Sequence, residues 1–198
     1  VIHCAALARM SLCENNPLAA INANIIGTSN LVKAVFKKEK VIKKQIRFIH
    51  ISTDAVYDCT EGSYSEKGPC IPNNKYGWTK LGAECVVNLL SNFCIIRTRF
   101  FDPDNIPFDE SATDLYTSTM PINDLVFSIL KVLNTDFVGT INVGKSAQSD
   151  YNNYKQYKST LQTCKHDDIA KNFTFPIAKD ASLDLSRWNR LKLKLKIL

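Results

Sequence analysis

Residues 46–58, IRFIHISTDAVYD, decide the fold class of this chain. The first part, 46–52, is an apolar run of the kind that forms a strand buried on both faces of a parallel sheet. Similar runs occur at 1–5 (VIHCA) and 93–98 (FCIIRT), with a shorter one at 139–144 (GTINVG). Because helical patterns separate these runs, the sequence predicts an α/β fold in which βαβ units build a mostly parallel sheet.

Three stretches between the runs have helical periodicity, at 16–40, 76–92 and 122–134. The apolar positions of the first stretch are Leu18, Ile21, Ile25, Leu31, Val32 and Val35. The second is predicted to place one apolar face on Leu81, Cys85, Val86 and Leu89. The polar segment 102–121 contains three prolines and is predicted to be a loop or an insertion, which at that length is usually functional.

The length of 198 residues and a hydrophobic content of 45% fit one domain, 1–198, with its own core. We expect 1–98 to form part of the core and 99–198 to combine core elements with a small substrate lobe. In that lobe the pattern predicts a helix over 152–164 and irregular structure over 173–188.

The net charge of +6 would suit an anionic partner, but the lysines are scattered, with dense runs only at 37–44 and 190–198. We interpret these runs as solvated faces, because no nucleic-acid motif accompanies them. Seven cysteines without a Cys-x-x-Cys pair indicate a reducing, cytoplasmic compartment. No apolar run reaches the ~20 residues of a membrane span, so a soluble protein without a membrane contact is expected. The three histidines lack metal-ligand spacing, and no metal is assigned.

The stretch KYGWTK (75–80) places Tyr76 one helical turn before Lys80. The same spacing recurs in Tyr151 with Lys155 and in Tyr154 with Lys158, so spacing alone does not identify an active site. Ligands of open parallel sheets bind at the carboxyl ends of the strands. Ser52, Thr53 and Asp54 follow the second strand, and Cys4, Ala5 and Ala6 follow the first. The context therefore favours Tyr76 and Lys80, and the other two pairs are interpreted as a solvated helix face.

Four segments in this order and spacing resemble the extended short-chain dehydrogenase/reductase superfamily: VIHCAA (1–6), INANIIGT (21–28), ISTDAVYD (51–58) and YGWTK (76–80). Four others narrow the resemblance to the dTDP-4-dehydrorhamnose reductase family: HISTDAVYD (50–58), IIRTRFFD (95–102), YTSTMPINDLVFSIL (116–130) and SLDLSRW (182–188). The resemblance implies a Rossmann-like, three-layer fold. It also implies binding of NADPH or NADH and hydride delivery to a keto-sugar on a nucleoside diphosphate.

By this resemblance the catalytic residues are Thr53, Tyr76 and Lys80. Tyr76 would protonate the alkoxide formed by hydride addition, and the Lys80 ammonium would lower its pKa. Lys80 would also bind the nicotinamide ribose. Further contacts implied by the resemblance are, for the cofactor, Ala5, Ala6, Asn24, Ser52, Tyr76 and Lys80, and, for the sugar, Asp54 and Phe100.

The two arginines of the third strand are candidate contacts for the diphosphate. At most one of Arg97 and Arg99 is expected to reach the ligand. The alternative for each is an ion pair with a nearby acid, Asp102 or Asp104.

The chain departs from the superfamily in lacking the glycine-rich turn after the first strand, which normally cradles the pyrophosphate. We expect the sequence to be a fragment without the first strands, with the apolar edge of 1–5 uncovered and little activity alone. The amino-terminal glycine fingerprint would then distinguish an enzyme from a regulatory subunit of the same fold.

Ala55 stands where sugar-nucleotide 4,6-dehydratases have a glutamate, which disfavours a dehydratase. An NAD-dependent epimerase and a non-catalytic regulatory subunit remain alternatives to a reductase. The chain is expected to form a homodimer or to bind a regulatory partner, and the sequence does not distinguish these two arrangements.

Overall fold

The computed structural model describes residues 1–195. Four of the strands in this range form one central parallel sheet, and the others form smaller sheets. The strands in chain order are β1 (Ile2–His3), β2 (Phe48–Thr53), β3 (Phe93–Thr98), β4 (Phe100–Phe101), β5 (Glu110–Ala112), β6 (Tyr116–Thr117), β7 (Met120–Pro121), β8 (Gly139–Asn142), β9 (Gln148–Ser149), β10 (Gln162–Cys164) and β11 (Asp180–Ala181). The central sheet has the order β1-β2-β3-β8, and every pairing in it is parallel. The predicted α/β class with a parallel sheet is therefore confirmed.

Helices cover both faces of this sheet. They are α1 (Met10–Asn15), α2 (Pro17–Ala20), a π-helical segment (Ile21–Ile26), α3 (Gly27–Ile42), a 3₁₀ turn (Asp54–Val56), α4 (Lys75–Val87), α5 (Ile122–Leu133), α6 (Asp150–Tyr154), α7 (His166–Ala170) and α8 (Ser186–Leu195). No helix among residues 1–195 is long and apolar enough to cross a bilayer. The lysine-rich run 190–198 continues into 196–198, which lie outside the described residues.

Two apolar clusters lie on opposite faces of the sheet, which makes the domain three-layered. On one face Ile49, Ile96 and Ile141 pack against Leu125 of α5 and Trp188 of α8. On the other face the alternate strand residues pack against α3 and α4; this cluster contains Val32, Val35, Phe48, Val87, Leu90, Phe93 and Ile95. Residues of β2 and β3 are all buried because both faces of these strands are covered.

The predicted helix over 16–40 is broken into α2, the π-helical segment and α3. Val32 and Val35 are buried as predicted, whereas Leu18, Ile21 and Leu31 are exposed. A π-helical turn adds a residue and rotates the helix face that follows it. A single 3.6-residue period across the turn therefore assigned Leu18 and Ile21 to the wrong face; Leu31 lies on α3 beside the buried Val32, and the turn does not account for its exposure.

The apolar face predicted for α4 is right for Leu81 and Val86, which pack against apolar clusters, and wrong for the other two residues. Cys85 and Leu89 are exposed, and the buried face instead carries polar side chains, including Tyr76, Lys80 and Glu84. The polar side chains are buried because they take part in the contacts at the strand ends described below.

The region predicted to form a small lobe contains more strand than the sequence indicated. The segment 102–121 holds β5, β6 and β7, and β10 occupies part of the predicted helix 152–164, in which only the end of α6 is helical. The stretch 173–188 contains β11 and the start of α8. Most of these strands have two or three residues and pair across long sequence separations, as β10 does with β5, so no local period reveals them.

The exposed edge of β1 leads us to expect that the isolated chain binds hydrophobic dyes or aggregates. Val1 and Ile2 are 50% and 45% exposed, and β1 pairs only with β2 among the described strands. Uncovered apolar strand edges bind hydrophobic ligands and other chains. The expressed 198-residue chain should therefore bind a hydrophobic dye such as 8-anilinonaphthalene-1-sulfonate or aggregate. A monomer with a sharp melting transition and no dye fluorescence would contradict this expectation.

Candidate active site

The carboxyl ends of β1, β2 and β3 meet at one edge of the central sheet, where a cavity of about 770 Å³ opens. Such strand-end crevices are the usual ligand sites of parallel α/β sheets. We call this the strand-end cavity. It is lined by Cys4, Ala6, Ala8, Arg9, Met10, Ile51, Ser52, Thr53, Asp54, Tyr76, Lys80, Thr98, Arg99, Phe100, Phe101, Asp102, Ile122, Leu125, Val126, Ile129 and Tyr154.

The structure brings most of the predicted site residues to this cavity. Those in its lining are Ala6, Ser52, Thr53, Asp54, Tyr76, Lys80 and Phe100. Ala5 and Asn24 are not part of the lining. Four parts of the chain, the segment after β1, the end of β2, α4 and the start of β4, thus converge on one volume.

The start of α4 is fixed against the end of β2, which places Tyr76. The Asn74 side-chain oxygen caps the helix by accepting a 2.8 Å hydrogen bond from the Gly77 amide. A Cβ at position 77 would lie 2.1 Å from the Ala55 carbonyl oxygen, so only glycine allows this approach. The close contact holds Tyr76 beside the residues that follow β2.

Tyr76 is buried next to Thr53. The Thr53 hydroxyl donates to Asp54 Oδ1 at 3.1 Å and accepts from the Ala55 amide at 3.1 Å. Burial raises the pKa of Tyr76 to about 12, and the nearby Thr53 side chain opposes this rise. The phenol therefore stays protonated at neutral pH, in the form that can donate a proton.

Lys80 lies on the same helix, but its amine is directed into the sheet. Its Nζ donates to the Ile51 carbonyl at 2.7 Å and lies 3.5 Å from Nε2 of His50. Burial lowers the pKa of Lys80 to about 8. The Lys80 amine is thus bound to the sheet in this structure, and its effect on the pKa of Tyr76 stays a prediction.

The lowered pKa of Lys80 predicts a pH dependence of stability. Between about pH 8 and the ordinary value of 10.5, the unfolded chain holds a proton on Lys80 that the folded chain has released. The free energy of unfolding should therefore rise with pH across this window, by up to about 1.4 kcal/mol per pH unit. Denaturant unfolding of the wild type and of Lys80→Met at several pH values measures the difference. A difference between the two proteins that does not change with pH would contradict it.

Asn24 lies in the helical segment after β1. Its Oδ1 accepts from the Leu7 amide at 2.8 Å, and its Nδ2 donates to the Leu7 carbonyl at 3.1 Å and to the Thr79 hydroxyl at 2.8 Å. These bonds use the side chain to tie the segment after β1 to α4. A direct cofactor contact through this side chain stays a prediction.

The Ser52 hydroxyl is likewise engaged within the protein. It donates to Glu84 Oε1 at 2.5 Å, and Arg97 Nη2 donates to Glu84 Oε2 at 2.6 Å. Arg97 Nη1 also donates to the Tyr57 hydroxyl at 2.8 Å. Ser52 lies in the cavity lining, its hydroxyl donates into a buried network, and its contact with a cofactor stays a prediction.

Only one of the two candidate arginines reaches the cavity, and strand alternation does not explain this, because residues two apart share a face and β3 ends at Thr98, before Arg99. Arg97 is buried on the Glu84 network, whereas Arg99 lines the cavity. The partners differ from the predicted acids, because Arg99 Nε binds Asp54 Oδ2 at 2.6 Å. Asp54 was expected to face the sugar. In the structure its Oδ2 accepts a hydrogen bond from Arg99, and its Oδ1 accepts one from Thr53.

Tyr154 is a cavity residue that the sequence did not indicate. It was assigned to a solvated face, but it is 8% exposed and its ring packs edge-on against Phe101 and Phe108. Lys158, the lysine four residues after Tyr154, donates to the Phe108 carbonyl at 2.6 Å. The face assignment of Tyr154 is wrong, because burial here depends on the lobe around it.

No group of His, Cys, Asp and Glu residues within 1–195 is arranged to hold a metal ion. All seven cysteines are free thiols in the structure, and two of them, Cys4 and Cys85, are exposed.

A three-layer parallel α/β domain with a Tyr-x-x-x-Lys helix at its strand ends belongs to the short-chain dehydrogenase/reductase superfamily. Within it, residues 1–102 match the family described as the RmlD substrate binding domain, so the chain belongs to that family.

Relatives known by sequence cover only part of the chain. It is 37% identical over 87 residues to methionine adenosyltransferase 2 subunit beta of Pongo abelii, a match covering 44% of this chain and 24% of the relative. It is 31% identical over 140 residues to UDP-glucose 4-epimerase of Mycoplasma genitalium, covering 66% of this chain and 39% of that protein. The chain thus spans well under half the length of these relatives.

Solved structures match almost the whole chain. A hypothetical dTDP-4-dehydrorhamnose reductase from Sulfolobus tokodaii superimposes with a TM-score of 0.80 at 26% identity, over 96% of this chain and 72% of that one. The dTDP-4-dehydrorhamnose reductase of Bacillus anthracis, solved in complex with NADP, has a TM-score of 0.80 at 22% identity, over 98% and 73%. The Rossmann-like fold is confirmed by these matches.

Proposed function

We propose that the protein containing this chain uses NADPH or NADH to reduce the keto group of a sugar linked to a nucleoside diphosphate. The observation that carries this proposal is the convergence of Thr53, Tyr76 and Lys80 on the strand-end cavity. Family membership supports it, as does the description of structural neighbours as dTDP-4-dehydrorhamnose reductases.

The cavity fits the nicotinamide half of such a cofactor. Small side chains line it after β1, at Cys4, Ala6 and Ala8, and leave the backbone accessible. The hydroxyl of Thr98 is buried in this lining without a partner among the described residues, so it is available to a ligand. Lys80 and the backbone at Ala6 are the groups we assign to holding the cofactor, which when bound supplies the hydride. No glycine-rich turn for its pyrophosphate occurs in these 198 residues.

The residues of the chain then have separate roles in the reduction. Tyr76, kept protonated by burial, donates its proton to the oxygen of the former ketone. Thr53 hydrogen-bonds the same oxygen and orients it after turning its hydroxyl proton away from Asp54 Oδ1, its acceptor in this structure. Lys80 must move its amine from the Ile51 carbonyl toward the cavity when it binds the cofactor. Phe100 and the 102–121 segment, whose Asp102 lines the cavity, are assigned to the choice of sugar.

A reductase assay tests the proposal. The protein at its natural length is supplied with NADPH or NADH and dTDP-4-dehydrorhamnose, and the absorbance of the reduced nicotinamide is followed. A loss of absorbance that requires the sugar supports reduction. Tyr76→Phe serves as the inactive control in the same preparation.

The similarity to methionine adenosyltransferase 2 subunit beta favours a second candidate, a non-catalytic regulatory subunit. Absence of nicotinamide oxidation together with specific retention of another protein in a pull-down would favour it. The epimerase similarity favours a third candidate, in which the sugar changes configuration without net consumption of reduced cofactor. Sugar analysis after incubation separates this candidate from a reductase.

A further inference from the structure

Tyr154 is a second phenol of the strand-end cavity, and the reduction as proposed does not use it. It lies at the end of α6, is 8% exposed and belongs to the cavity lining. Its ring packs edge-on against Phe101 and Phe108, with ring centroids 4.8 Å and 4.9 Å away. Two edge-on aromatic neighbours leave the ring little freedom, so its hydroxyl has a fixed position at the cavity.

Polar contacts also fix the short helix α6 that carries Tyr154. The Thr117 hydroxyl donates to Asp150 Oδ1 at 2.7 Å and accepts from Asn153 Nδ2 at 3.0 Å. These bonds tie the helix to β6. Tyr154 is thus presented from a rigid support, as a residue that recognises a ligand needs to be.

The hydroxyl of Tyr154 lacks an acceptor among residues 1–195. Thr119 lies beside it, but the Thr119 hydroxyl is buried without a hydrogen-bond partner, so these two groups do not satisfy each other. Burial and the neighbouring Asp150 raise the pKa of Tyr154 above its ordinary value, so the phenol stays protonated. A protonated phenol is a hydrogen-bond donor, and a buried donor without an acceptor is costly unless a ligand supplies one.

The surroundings of Tyr154 place it beside the reacting end of the cavity. The ion pair of Asp54 with Arg99 acts electrostatically on both cavity phenols, Tyr76 and Tyr154. Both phenols therefore lie near one ion pair, although they come from different elements, α4 and α6. A sugar bound with its reacting oxygen at Tyr76 thus has the Tyr154 hydroxyl near the adjoining ring carbons.

The charges around Tyr154 do not favour an anion. Two carboxyl groups, Asp54 and Asp150, and one guanidinium, Arg99, act on the phenol. This set has no excess of positive charge, so a phosphate or a carboxylate would gain no attraction there. The partner that fits is a neutral acceptor. Because the keto oxygen is assigned to Tyr76, the neutral acceptors that remain on the sugar are its hydroxyls.

We propose that Tyr154 determines specificity by donating a hydrogen bond to the sugar hydroxyl on the carbon next to the keto group. This inference rests on the proposed function and deepens it, because it selects keto-sugars with a hydroxyl at that carbon over those that are deoxy there. In dTDP-4-dehydrorhamnose, the sugar of the reductase assay, this is the hydroxyl at C3. A site built to bond a hydroxyl rejects the analogue without it, because the polar group of the protein is then left unpaired.

The test compares dTDP-4-dehydrorhamnose with its 3-deoxy analogue as substrates of the natural-length protein, with NADPH or NADH present. The wild type should have a kcat/KM at least about tenfold higher for the sugar with the hydroxyl, the scale of one lost hydrogen bond to a buried donor. Tyr154→Phe removes one oxygen and keeps the ring between its aromatic neighbours. It should lower the ratio of the two kcat/KM values about tenfold. The effect should lie in KM and not in kcat, because the contact is made equally in the ground state and the transition state.

Tyr151 on the same helix provides the matched control. Its ring lies under Lys155 and outside the cavity lining. Tyr151→Phe removes the same oxygen and should leave the ratio unchanged. A thermal melt of each variant shows whether it is folded.

Each other result overturns the inference. An unchanged ratio in Tyr154→Phe, or an equal loss with both sugars, would exclude recognition of the hydroxyl, while reduction by the wild type would leave the proposed function intact. A loss in kcat at constant KM would assign Tyr154 to proton transfer, and a melting temperature far below that of the wild type would assign its hydroxyl to stability. If the wild type reduced neither sugar, the proposed function would fail together with the inference.

Discussion

Replacing Tyr76 with phenylalanine should lower turnover at least about a hundredfold, the scale of one lost general acid. The substitution removes a single oxygen from a ring that is 9% exposed, so the packing around it is retained. Cofactor affinity should change little, because the phenol acts on the sugar oxygen. Steady-state kinetics together with a cofactor titration measure the two effects separately.

The chain contains a matched control for this substitution. Tyr151 has the same spacing to a lysine, and its ring lies under Lys155, with Nζ 5.3 Å from the ring centroid and outside the strand-end cavity. Tyr151→Phe should leave turnover unchanged. A larger loss in Tyr151→Phe or Tyr154→Phe than in Tyr76→Phe would contradict the assignment of the proton donor.

Replacing Glu84 with glutamine should destabilise the protein by about 3–5 kcal/mol, the cost of leaving a buried ionic partner uncompensated. Arg97 has a side-chain exposure of 6% and donates to both Glu84 oxygens, with Nη2 at 2.6 Å and Nε at 3.0 Å. Glutamine has nearly the same size but removes the negative charge that balances the guanidinium. Denaturant unfolding measures the change.

Asp124 provides the comparison for Glu84. Its ion pair with Lys145, at 2.8 Å, is 45% and 46% exposed, so Asp124→Asn should change stability by less than about 1 kcal/mol. Equal effects of the two substitutions would contradict the role assigned to the buried network. Because Ser52 also binds Glu84, the Glu84 variant should in addition lower turnover through the neighbouring Thr53.

The sequence was sufficient for the features that arise from continuous local patterns. The apolar runs at 46–52 and 93–98 predicted the two central strands, since a strand covered on both faces needs apolar residues at every position. Thr53, Tyr76 and Lys80 were found because they follow or face strand ends, and the resemblance placed them in one site.

The features that sequence reasoning missed depend on contacts between distant residues. Tyr154 belongs to a five-residue helix in a polar stretch, and only the packing of Phe101 and Phe108 buries it. The π-helical turn shifts the face of the helix that follows it without any proline or glycine inside the turn to mark it. The direction of the Lys80 amine is set by the Ile51 carbonyl, a partner that residue spacing does not reveal.

The central claim is that the strand-end cavity holds a nicotinamide cofactor through Lys80 beside the proton donor Tyr76. The most direct measurement is a titration of NADPH and NADH, followed by nicotinamide fluorescence, into the natural-length protein and into Lys80→Met and Tyr76→Phe. We expect saturable binding by the wild type, an unchanged affinity in Tyr76→Phe, and an affinity at least about tenfold weaker in Lys80→Met, the scale of a lost charge-assisted hydrogen bond. Absence of saturable binding, or equal affinity in the wild type and Lys80→Met, would contradict the claim.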